Sequence, residues 1–141
     1  MTKLKTTAMA AAALALFAAP VAQAQDADDA RPEMTKGEAK LAEMLEGRVA
    51  GEPENCIRTF PSQNFTVIDK TALVYRAGET LWVNTTSSPD SIDDDDILVI
   101  DRWSGTNLCR TDQITLRDRA GGFFAGVLIL EDFVPYRKVE G

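Results

Sequence analysis

Apolar and polar positions change their rhythm twice along this chain. Near the start, a dense apolar run over 8–19 follows Lys3 and Lys5 and gives way to Ala22-Gln23-Ala24. A basic start, a short apolar stretch and a small-residue exit are the pattern of a cleavable export signal, and the run is too short to cross a bilayer. Residues 1–24 are therefore set apart as a signal peptide. Residues 25–34, mostly Asp, Ala, Arg and Pro, are expected to form a flexible acidic leader, since they carry too little apolar surface to offset their ordering entropy.

Helical spacing comes next. Thr35 and Glu38 make a capping box, Leu41, Met44 and Leu45 fall on one helical face, and Gly47 stands where a C-terminal cap belongs. One amphipathic helix is predicted over 36–46, with Gly51-Glu52-Pro53 ending the element. After Cys56 the rhythm shortens to that of strands, with β-branched and aromatic residues between Gly, Pro, Asn and Asp. The candidates are 65–68, 71–76, 79–84, 97–103, 114–117, 123–130 and 133–136. A tight turn at Ala77-Gly78 would set Val74 opposite Leu81 and Arg76 opposite Glu79. A three-residue loop with Gly78 in a bulge is the alternative.

Along 114–117, Ile114 and Leu116 face away from Thr115 and Arg117. Residues 123–130 are almost wholly apolar and are expected to be buried on both faces or to close a small barrel. Pro135 is expected to mark an edge. The fold class that follows is mainly β, a small antiparallel sandwich or partly open barrel of about five to seven strands with one N-terminal helix. A single domain over 35–141 is expected, with α+β as the nearest competing class.

Charge narrows the choice of partners. The 141 residues include 15 Lys+Arg and 22 Asp+Glu, a net charge of -7; without Lys3 and Lys5 the balance is 13 against 22, or -9. Such a surface repels phosphate backbones and anionic membranes, so neither nucleic acid nor membrane insertion of the mature chain is expected. Histidine is absent, which excludes His-based triads, imidazole acid–base chemistry and His-ligated metals.

Cys56 and Cys109 are the only cysteines, and in an oxidising compartment they are expected to bond to each other. They stand too far apart for a Cys-x-x-Cys redox motif. Asp93, Asp94, Asp95 and Asp96, with Asp90 nearby, offer hard oxygen ligands for Ca2+, but they lack the spacing, central Gly and distal Glu of an EF-hand loop. A solvated turn is the simpler reading, and no metal site is assigned. Arg58, Arg76, Arg102, Arg110, Arg117 and Arg119 lie near Asp69, Asp101, Asp112 and Asp118 in candidate cross-strand ion pairs. Trp82, Trp103, Tyr75, Phe123 and Phe124 could line a carbohydrate or peptide groove, although aromatics in a small β domain more often fill the core. Adjacency of Glu131 and Asp132 does not establish a glycosidase pair. The glycosylation patterns at Asn64 and Asn84 are read as chance.

The segments Cys56-Ile57-Arg58, Val67-Ile68-Asp69-Lys70-Thr71-Ala72-Leu73-Val74-Tyr75-Arg76, Leu81-Trp82-Val83-Asn84, Asp95-Asp96-Ile97-Leu98-Val99 and Leu108-Cys109-Arg110 resemble a family of small exported proteobacterial proteins of unknown function. The resemblance runs over about 45–137 and implies export and a disulfide-bearing β domain. It brings no catalytic residue. The expectation is a periplasmic or extracellular domain that needs no cofactor and binds another protein or an envelope component. The alternatives are a carboxylate-dependent hydrolase of an envelope polymer and a weak Ca2+-binding module on Asp93 to Asp96.

Overall fold

The computed structural model describes residues 33–59, 65–102 and 105–139; the signal, most of the acidic leader, Asn64 and Trp103 lie outside them. Helix α1 spans Lys36–Met44, two residues shorter than expected. Its capping box is formed in both directions: the Glu38 amide donates to Thr35 Oγ1 and the Thr35 amide donates to the Glu38 carboxylate. Gly47 follows the helix at φ 68°, the left-handed region that suits glycine.

Ten strands follow among the described residues: β1 (Arg48–Ala50), β2 (Cys56–Arg58), β3 (Phe65–Ile68), β4 (Ala72–Ala77), β5 (Thr80–Asn84), β6 (Ile97–Asp101), β7 (Asn107–Cys109), β8 (Gln113–Arg117), β9 (Phe124–Ile129) and β10 (Val134–Lys138). The mainly β class holds, but the strand number exceeds the expected five to seven. The additional strands β1, β2 and β7 have three residues each, too few for alternation to show. Their partners define them instead.

All pairing is antiparallel, in sheets ordered β1-β10-β5-β4-β3, β6-β8-β9 and β2-β7. One face of the five-stranded sheet, carrying Phe65, Leu73, Tyr75 and Trp82, packs against Ile114, Leu116 and Leu128 of the three-stranded sheet and Ile57 and Leu108 of the ribbon. The opposite face, with Ile68, Val74, Leu81 and Val83, is covered by Leu41, Met44 and Leu45 of the helix region. The strand most fully buried on both faces is therefore β4. No sheet closes on itself among the described residues.

The β4–β5 register corrects one expectation. Val74 faces Val83, Arg76 faces Leu81 and Ala77 faces Thr80, so the two-residue turn is Gly78-Glu79. Gly78 adopts φ 58°, a conformation that Ala77 would resist, and this moves the turn by one residue. Glu79 consequently pairs with Lys138 at 3.1 Å, which holds its carboxyl below the ordinary range. The edge reading of Pro135 is also corrected, because β10 lies between β1 and β5. Proline is accommodated where β1 has ended: the neighbouring residue is Gly51, whose amide donates to the Pro135 carbonyl at 2.7 Å.

Gly37 brings the helix against the β3–β4 turn. A Cβ there would stand 2.5 Å from the Asp69 carbonyl oxygen and collide with the Thr71 hydroxyl. In an isolated helix Gly→Ala gains about 1 kcal/mol, but overpacking a close contact costs roughly 1–3 kcal/mol. Gly37→Ala is therefore expected to lower the midpoint of denaturant unfolding. A raised midpoint would show that the helix does not dock as described.

Candidate functional site

Alternation along β6, β8 and β9 divides the three-stranded sheet into two unlike faces. Leu98, Ile100, Ile114, Leu116 and Leu128 point into the core. The outward positions follow from the register: Ile97 pairs with Arg117, Val99 with Thr115 and Asp101 with Gln113. Arg117, Thr115 and Gln113 in turn pair with Phe124, Val127 and Ile129. Two apolar edges thus flank a polar central strand.

Val99 and Val127 are half-buried, but other apolar residues on or beside this face are exposed to solvent. Phe123 is 76% exposed, Phe124 67%, Ile129 54% and Ile97 43%. The expectation that 123–130 would be buried on both faces is overturned, since β9 is an edge strand with only its inward positions in the core. A signal for this was present in β8, whose Gln113, Thr115 and Arg117 leave its outer face polar. A second covering layer would require apolar residues there.

The turn before β9 fixes the aromatic pair. The Asp118 amide donates to the Phe123 carbonyl at 2.9 Å, the Gly122 amide to the Asp118 carbonyl at 2.8 Å, and the Gly121 amide to Asp118 Oδ1 at 2.7 Å. Gly122 has φ 69°, and the Phe123 ring lies so close over Gly121 that a side chain there would strike it. Arg117 donates to the Gly122 carbonyl at 3.1 Å. A register shift between Leu116 and Arg117 sets Phe124 opposite Arg117. Phe123 thus ends the turn and Phe124 opens β9.

Beside this face lies an open acidic depression of about 510 Å³ lined by Asp93, Asp95, Asp96, Asp118, Arg119 and Ala120. Arg119 Nε donates to the Asp95 carbonyl at 2.9 Å. Partial burial, followed by the like charges of Asp93, Asp118 and Asp95, pushes the Asp96 carboxyl above the ordinary range. Such a group opposes folding while it is charged, and the opposition fades as pH falls through its raised titration point. Asp96→Asn is therefore expected to raise the melting temperature at neutral pH, by an amount that shrinks as the wild-type carboxyl protonates. A gain independent of pH would contradict this account.

The four-aspartate run does not act as one cluster. Asp94 turns towards Asp69 and, with Asp93, brings three exposed carboxylates within 4.8 Å of one another. Asp69 and Asp94 share a hollow with Lys36 and Lys40, which supply positive charge there. Solvated, partly compensated carboxylates explain this arrangement without an ion. The Asp95 amide donating to Asp93 Oδ1 at 2.8 Å is an ordinary turn contact.

The remaining sequence candidates are dispersed. Cys56 and Cys109 form the disulfide, as direct register partners of β2 and β7. Arg110 pairs with Asp132 at 3.2 Å, whereas Arg102 donates to Thr59 Oγ1 and Asp118 receives the Gly121 amide. Tyr75 is buried against Phe65, and Trp82 packs on the same core, so neither lines a groove. Asn84 is 0% exposed, which rules out its glycosylation in the folded domain. Comparison of the chain with family models, curated proteins and solved structures finds no match. What the fold and site define is a mainly β domain, clamped by one disulfide and covered by one helix, with exposed apolar side chains flanking a polar strand on one outer sheet face.

Proposed function

We propose that this chain is an exported, non-enzymatic binding domain of the cell envelope, acting in the periplasm, and that its contact surface is the outer face of β6, β8 and β9. The carrying observation is the exposure of Phe123, Phe124 and Ile97 at one end of that sheet, with Ile129 exposed at its other end. Large apolar side chains grouped on a surface and rimmed by polar ones mark interaction sites. The leading apolar stretch after Lys3 and Lys5 supports export, and the disulfide fits an oxidising compartment. None of the described helices is long and apolar enough to cross a membrane. The open depression, with Asp93, Asp95, Asp96 and Asp118 beside Arg119, suits a charged rim of this face.

Full burial of a phenylalanine side chain is worth roughly 1.5–3 kcal/mol. Most of Phe124 is available to a partner, so Phe124→Ser should weaken the complex by about tenfold. The test is chemical crosslinking of the exported protein in its own compartment, followed by mass spectrometry of the adducts. The reproducible adduct of the wild-type protein should be lost from Phe124→Ser and Ile129→Ser variants that retain the wild-type melting temperature. Retention of the adduct by both variants would move the contact surface elsewhere.

A further inference from the structure

Building on this contact face, the geometry points to a partner of one chemical class: a polypeptide segment that carries Lys or Arg beside apolar side chains. The argument is one of adjacency and charge. Ile97 follows Asp96 directly, and Phe123 closes the turn that Asp118 opens, so the apolar face and the acidic depression share a border. Asp93, Asp95, Asp96 and Asp118 outnumber Arg119 in the lining, and Arg119 Nε is engaged by the Asp95 carbonyl. The Asp96 carboxyl is raised above its ordinary range first by desolvation and then by the like charges of Asp93, Asp118 and Asp95.

A cationic side chain placed in the depression would relieve that repulsion while its apolar neighbours covered Phe124 and Ile97. Other occupants fit less well. A second processed copy would bring an equal acidic depression and another -9 of net charge, 13 Lys+Arg against 22 Asp+Glu. A membrane surface would present anionic headgroups to the same carboxylates. Arg117, on the face itself, donates to the Gly122 carbonyl and is one cation beside the four carboxylates of the depression.

The test uses the exported, processed protein and a short fluorescent peptide interleaving Arg with Leu and Phe, compared with its counterpart bearing Glu in place of Arg. Anisotropy should show saturable binding of the Arg peptide alone, weakening with added salt. Binding should fall by about tenfold in Phe124→Ser and by a similar factor in the Asp95→Asn, Asp96→Asn double variant. Equal binding of the Glu counterpart, indifference to the aspartate substitutions, or no binding of the Arg peptide would overturn the assignment. A dimer abolished by Phe124→Ser, or co-sedimentation of the wild-type protein but not Phe124→Ser with phosphatidylglycerol vesicles in the absence of peptide, would overturn it in favour of a second copy or a lipid surface. If the natural crosslinked adduct is lost from Phe124→Ser but kept by the aspartate double variant, the contact face stands and the charge assignment falls.

Discussion

Replacing Cys56 and Cys109 together by serine is expected to lower the stability of the fold by about 4 kcal/mol. The bridge joins residues separated by 53 positions, so in its absence the unfolded chain regains the entropy of a long open loop. The local consequences are as large. Strands β2 and β7 share only three register pairs, and a two-stranded ribbon of that length does not hold itself together in water. Yet Ile57 and Leu108 of this ribbon are buried against the sheets. Releasing the clamp therefore loosens one wall of the core as well as enlarging the unfolded ensemble. Against a usual domain stability of about 5–15 kcal/mol, this is a substantial fraction. Denaturant unfolding of the double variant should match that of the wild-type protein under reductant. A change below about 1 kcal/mol would mean that the ribbon is held by its apolar contacts alone.

Asn84→Ala is expected to cost about 2–4 kcal/mol, more than a substitution of this size costs at the surface. Asn84 ends β5 fully buried and ties two segments together. Its amide donates to the Glu131 carbonyl at 2.6 Å, while its side-chain oxygen accepts from the Thr86 amide at 3.0 Å and the Glu131 amide at 3.1 Å. Alanine would orphan all three backbone groups. It would also release Thr86, a β-branched residue held at φ 56°, and with it the loop whose Ser87 amide donates to the Ile129 carbonyl at the edge of β9. Asn84→Asp separates the donor from the acceptors, because it keeps the oxygens but sets a carboxylate against the Glu131 carbonyl. It should be destabilised at neutral pH and recover part of the loss where the carboxyl protonates. If Asn84→Ala melted like the wild-type protein, these bonds would contribute nothing net.

Elements long enough to complete a period were legible in the sequence. The capping box, helix α1 and the seven longer strands follow from spacing and turn residues, and the pairing of Cys56 with Cys109 follows from their being the only two cysteines. The three-residue strands were invisible because each exists through its partner rather than its own pattern. The turn at Gly78-Glu79 was misplaced by one residue because hydrophobic alternation is satisfied at either position and only the φ requirement of glycine decides between them.

The exposed face was misread for a related reason. An apolar run such as 123–130 has the same composition whether its second face meets a layer of the same chain or a partner. The deciding information lay one strand away, in the polar outward positions of β8. The acidic depression was still harder to foresee. It joins Asp93, Asp95 and Asp96 to Asp118 across the β6–β8 pairing, a convergence that no linear spacing encodes.

The most direct test of the contact face is a photoreactive phenylalanine analogue placed at position 124 in one preparation and at exposed Glu43 on helix α1 in another, each irradiated in the producing cell. The account predicts a discrete adduct from position 124 and none from position 43. No adduct from position 124, or the same adduct from both positions, would contradict it.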